Sequence, residues 1–225
     1  MAVSVIANAG GTGKGEGEKT LEGENAMNRQ TGKLIARVSE NLPDMSNELA
    51  QYWIENPKKL QNRLSAVLSC PFDVFETIKL GTGLKTADDF RVALKKNGCL
   101  GSQWTTDLLI QPAFKIASEE TELKLVEVST VELGFKRGAK RARIYQRAQE
   151  LGLGLCPSEA GPQLCLQSAE KLKGECFLVA TDPIVGSDNK LYLFNVVRGW
   201  LHGHDDGAPN SFWSAGIKWL FASGK

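Results

Sequence analysis

The stretch that decides the fold is Cys176-Phe177-Leu178-Val179-Ala180, then Asp188-Asn189, then Leu191-Tyr192-Leu193-Phe194-Asn195-Val196-Val197. Both apolar runs have the length and the β-branched and aromatic content of strands. The Asp-Asn pair between them supplies a turn, so together they predict an antiparallel hairpin. Working outward, Leu123-Lys124-Leu125-Val126-Glu127-Val128 and Gln163-Leu164-Cys165-Leu166-Gln167 also read as strands. Ile217-Lys218-Trp219-Leu220-Phe221 reads as a closing strand.

Towards the N-terminus the signals turn helical. Asp44 or Ser46 can cap a helix through residues 48–54, and Asn56-Pro57 restarts it. Leu60, Leu64, Val67 and Leu68 then form an apolar stripe at helical spacing, which Cys70-Pro71 ends. Thr86-Ala87-Asp88-Asp89 has the form of a capping box, with Phe90, Ala93 and Leu94 facing inward and Gly98 as the stop. A short helix is expected around residues 104–110. Helices first and strands later predict an α+β fold: an N-terminal helical region followed by a small antiparallel sheet packed with one basic amphipathic helix.

The domain organisation expected is a disordered Gly/Glu-rich tail over residues 1–33, a helical region over 34–115 and an α+β domain over 116–225. Residues 9–20 are nearly all Gly, Glu, Lys and Thr, which cannot bury enough apolar surface to offset ordering. Met27 would serve as an alternative start. The sequence Gly10-Gly11-Thr12-Gly13-Lys14 looks superficially like a phosphate loop. However, Asn8 stands where that motif needs its first glycine, and Gly15 where it needs a hydroxyl.

The bulk numbers restrict the function classes. The chain has 225 residues and a net charge of +1, so attraction to nucleic acid or an anionic membrane must come from a local patch. The five cysteines, Cys70, Cys99, Cys156, Cys165 and Cys176, are odd in number and lack CxxC spacing. That argues against a disulfide framework and a thiolate zinc site, and for thiols in a reducing, cytoplasmic compartment. No apolar run approaches the roughly 20 residues of a membrane span.

Residues spread over 27–225 carry a resemblance. Val38-Ser39-Glu40-Asn41-Leu42-Pro43, Trp53-Ile54-Glu55-Asn56-Pro57, the run from Thr77 to Phe90 and Gly161-Pro162-Gln163-Leu164 carry most of it, with Glu132-Leu133-Gly134-Phe135, Ile144-Tyr145 and Leu155-Cys156-Pro157 between. In these the chain resembles a family of small proteins from uncultivated bacteria of reduced genome. The resemblance implies a bacterial protein starting at Met27. That family has no assigned activity, so no site residue is carried over. The similar sequences are less basic around 137–143.

Two constellations carry candidate chemistry. The first is the basic helix expected over residues 134–153, bounded by Gly138 and Gly152. Lys140, Arg143 and Arg147 share a face, Arg137 and Arg141 flank it, and Ile144, Ala148 and Leu151 lie opposite. Such a face clamps phosphates, and the partners it points to are nucleic acid or an acidic protein. The competing reading is a solvated face on a helix packed against the sheet. The second is His202-Gly203-His204-Asp205-Asp206, which holds both histidines of the chain. His202, His204 and Asp205 have the look of part of a metal-hydrolase cluster, needing a further ligand from Asp182, Asp188 or Glu175. A polar turn is the simpler reading. A Cys–His pair between Cys156, Cys165 or Cys176 and either histidine is also conceivable.

The reading favours a non-enzymatic cytoplasmic binding or accessory protein without a cofactor, contacting a polyanion through the basic helix. Metal-dependent hydrolysis and a purely structural or protein-interaction role are the alternatives. No catalytic residue and no oligomeric state is assigned.

Overall fold

In the computed structural model, which describes residues 17–68 and 70–224, three helices precede the first strand: α1 (Gly17–Glu40), α2 (Asn47–Glu55) and α3 (Pro57–Leu68). Then follow β1 (Val74–Leu80), α4 (Ala87–Lys96), α5 (Gln103–Leu109), β2 (Thr121–Ser129), β3 (Ala139–Lys140) and α6 (Arg141–Glu150). The chain continues through β4 (Leu153–Gly154), α7 (Ala160–Ser168), β5 (Cys176–Val179), β6 (Ile184–Val185), β7 (Leu191–Val197), β8 (Trp200–His204), β9 (Phe212–Trp213) and β10 (Lys218–Ser223). The glycine-rich stretch at 8–15 lies outside the described residues.

The chain divides into two units, Met1–Lys59 and Leu60–Lys225. In the first, the Ser46 hydroxyl accepts from the Leu49 N–H at 3.2 Å and caps α2. No residue of α2 is buried, and Ile35, Leu49, Tyr52 and Ile54 are exposed. Residues 17–33, expected to be disordered, lie within α1.

The second unit is built on an eight-stranded sheet with the order β1-β2-β10-β5-β7, to which β6 and β8 are added on β7 and β4 on β10. Every pairing is antiparallel except β10 with β5. β1 lies in the region expected to be helical, and its pairing with β2 draws α4 and α5 into the sheet unit.

Alternation along the central strands buries both faces. Leu220 and Ala222 of β10 join Phe177, Val179, Phe194, Val196 and Leu125 under α4, α5 and α7. Trp219 and Phe221 join Leu178, Val126, Val128 and Leu193 against Ile144, Tyr145 and Ala148 of α6. The α+β class stands. The sheet, however, is large and mixed, not small and antiparallel, and helices cover both of its faces.

Three sequence expectations are corrected. Residues 163–167 belong to helix α7, not a strand. Residues 217–221 contribute to β10, which lies at the centre of the sheet and does not close its edge. β5 and β7 pair as expected, Cys176 opposite Val197 and Leu178 opposite Asn195, but the Asp188-Asn189 turn joins β6 to β7. The capping box holds in full: the Thr86 hydroxyl accepts from Asp89 N–H, the Asp89 carboxylate accepts from Thr86 N–H, and Phe90 and Leu94 are wholly buried.

Helix α7 is anchored by its polar side chains. The Glu159 carboxylate, fully buried, accepts from the backbone N–H of Gly81 (2.9 Å) and Ala117 (2.7 Å) and from the Gln163 amide (2.7 Å). Gln167 accepts from Lys79 N–H and donates to Lys79 C=O, so a side-chain amide satisfies backbone groups of β1.

Candidate functional site

The basic segment is held by the loop that follows β8. β3 pairs with β9, Ala139 opposite Trp213 and Lys140 opposite Phe212. Gly138 adopts φ 92°, and a Cβ there would meet the Trp213 carbonyl at 2.2 Å, so this crossing requires glycine. Helix α6 then begins without a side-chain cap. Its leading N–H groups are taken by the loop, Arg141 donating to Ser211 C=O (2.9 Å) and Ala142 to Pro209 C=O (3.1 Å). A phosphate therefore finds the N–H groups of those two residues already bonded.

The five cations predicted for the site part into groups. Arg141 is structural: its guanidinium lies 4.7 Å from the Tyr145 ring centroid and donates to Ala208 C=O at 3.3 Å. Tyr145 beneath it donates to Thr181 C=O at 3.1 Å, and burial pushes its phenol well above the ordinary range. Arg147 is exposed and paired with Glu150 at 3.0 Å. Arg137, Lys140, Arg143 and the neighbouring Lys136 are exposed and enter no ion pair among the described residues. Arg143 and Arg147 line an open groove of about 370 Å³ floored by Leu133 and Phe135.

The histidine segment forms β8 and the turn after it. His204, Asp205 and Asp206 bring one ligand atom each within 4.8 Å of one another. His202 stays outside this group. Its ring packs on the Gly101 backbone, where a Cβ would meet it at 2.6 Å, and burial pushes its pKa down. Asp182, Asp188 and Glu175 do not join the group either. Asp205 is engaged with Lys190 at 3.3 Å, and Asp188 accepts from the Tyr192 hydroxyl at 3.0 Å. A cation at His204 would therefore compete with an ammonium already placed.

Of the candidate nucleophiles, Cys156 and Cys165 are buried, which raises their thiols far above the reactive range. Cys176 is exposed and shares a cavity wall with His204.

No protein-family profile, curated protein or solved structure matches the chain. Sequence reasoning missed Asn195, and it noted Trp213 only as one of the C-terminal aromatics that close the core or offer a ligand platform. Both are at least nine-tenths buried, and among the described residues Asn195 Oδ1 and Trp213 Nε1 have no hydrogen-bond partner. The signal for Asn195 was present, because an asparagine interrupting an apolar strand runs against strand preference.

Proposed function

We propose that the protein is a non-enzymatic binding protein whose partner surface is the cationic edge at residues 136–147, and that the partner is single-stranded nucleic acid. One observation carries this reading: Lys136, Arg137, Lys140 and Arg143 stand exposed and without ion-pair partners among the described residues, within eight positions of a nearly neutral chain. Aromatic rings sit among them. Phe135 lies on the groove with Arg143, and Phe212, 64% exposed, pairs across strands with Lys140. Cations interleaved with accessible rings suit a flexible strand that offers both phosphates and unstacked bases.

The test is fluorescence polarisation with a labelled single-stranded oligonucleotide. Four phosphate contacts give a log–log salt slope of about −3. Replacing all four cations by Ala abolishes binding in this reading. No binding at low salt, or binding indifferent to the four replacements, overturns it. Capture of an acidic peptide without the oligonucleotide reassigns the surface to an acidic protein.

A second reading, metal-dependent hydrolysis, draws only on the clustering of His204, Asp205 and Asp206. It requires stoichiometric metal that is lost on His204→Ala, read by elemental analysis.

A further inference from the structure

We propose that the cavity on the α6 side of β5 and β7 is a binding site for a small, uncharged planar ligand that presents a hydrogen-bond donor beside an acceptor, the edge chemistry of a nucleobase. This does not rest on the cationic edge, which involves other residues.

The cavity holds about 410 Å³, within the range of small-molecule sites. Leu178, Asn195, His204, Trp213 and Ile217 lie on its wall, with Cys176. Strand register explains the grouping. Leu178 is opposite Asn195, Asn195 is opposite His202, and Leu193 is opposite His204, so alternation places Asn195 and His204 on one face as diagonal neighbours. The Trp213 ring comes from β9 and lies 5.0 Å from the His204 ring, at 56°.

Two residues of this wall each carry a polar side-chain atom with unmet hydrogen bonding, closed to solvent in the empty protein. Buried polar groups are almost always paired, and an orphan is unfavourable in the empty protein. Among the described residues three buried side-chain atoms have no partner, and two of them, Asn195 Oδ1 and Trp213 Nε1, belong to residues of this one cavity. An indole N–H can only donate, and an amide oxygen can only accept. The ligand that satisfies both carries an acceptor for Trp213 and a donor for Asn195, as a lactam or aminopyrimidine edge does. The flanking rings and Leu178 and Ile217 favour a flat, apolar-faced body. Charge argues the same way. Lys218 on the wall is paired at 2.9 Å with both Glu175 and Glu127, which leaves no free cation among the described lining residues to hold a phosphate or carboxylate.

The experiment titrates uridine, cytidine, adenosine and guanosine into the full chain, following tryptophan fluorescence and calorimetric heat, with thermal melting of every variant. At least one nucleoside binds saturably below millimolar concentration. Asn195→Leu weakens it at least tenfold while the unliganded protein melts no lower than the parent, because an orphaned polar atom has been removed. Trp213→Phe keeps the ring, removes the N–H and weakens binding severalfold, which tests the site even if the Asn195 variant does not fold. Bound nucleoside also slows alkylation of Cys176. Absence of saturable binding by all four nucleosides, or binding unchanged in folded Asn195→Leu or Trp213→Phe protein, overturns the proposal.

Discussion

The two faces of the sheet are packed on opposite terms. Under α4, α5 and α7 the apolar cluster is closed, and the one buried carboxylate among the described residues, Glu159, has three donors on it. On the α6 face a single helix covers β2 and β10, while the part over β5, β7 and β8 is left to a loop and a cavity. There two buried polar atoms lack partners, and the exposed cations flank the helix. A polar group that is fully bonded holds a fold together. One left unbonded is kept at a cost to stability, and such costs concentrate at functional sites. The closed face is the scaffold, and the half-covered face is where ligands are to be sought.

The sharpest way to break this contrast is at Glu159. Glu159→Ala strips the acceptor from two buried backbone N–H groups and an amide, and the expected loss is about 4 kcal/mol, read as a fall in the urea midpoint. A loss below about 1 kcal/mol would show that the closed face does not depend on its polar bolt. Ile144→Ala, on the opposite side, empties a fully buried position between α6 and the sheet and is expected to cost about 3 kcal/mol by the same measurement. If it costs far less, α6 is only loosely docked. Asn195→Leu has the opposite sign to both, a gain of up to about 1 kcal/mol in the unliganded protein.

The smallest effect is on pH. Burial lowers the His202 pKa in the folded chain below the ordinary value of about 6.5, so the unfolded chain binds the proton more readily. The stability contributed is complete above that value and is lost as pH falls through the folded pKa. The carboxylates with shifted values among the described residues, Glu48, Glu76, Asp89, Glu132 and Asp188, are all lowered and titrate in more acidic solution. Melting temperatures between pH 7 and 5.5 should therefore fall more in the parent than in His202→Gln. Equal slopes would remove His202 from the account.

What was legible in the sequence was local. Thr86 and Asp89 cap a helix through bonds within four residues, and the composition of Leu191–Val197 identifies its strand without help from its neighbours. Helix α7 was not legible. Residues 160–165 are buried on every side, so no 3.6-residue stripe survives, and Leu164 and Leu166 between glutamines imitate strand alternation. The central place of β10 was hidden for a different reason, since register with β2 and β5 is a property of distant partners. The basic face was visible as a set of charges. Its division into a stacked Arg141, a paired Arg147 and exposed cations without an ion pair among the described residues required the loop at 208–211. Asn195 was visible only as an oddity of composition, because being unpaired is decided by everything around it.

The position of β10 bears on how the protein acquires its shape. Lys218–Ser223 is the seam between β2 on one side and β5 on the other, two strands that share no hydrogen bonds of their own. Both partners precede it by long stretches of chain, so the seam closes through non-local contacts, and the entropy of bringing the halves together must be met before either is rewarded. Half-sheets formed earlier carry open edges at β2 and β5, the kind of surface that pairs wrongly with other chains. Maturation should therefore be slow and all-or-none, with β10 as its final latch, and Ile217 and Lys218 reach the cavity wall only when that latch has shut.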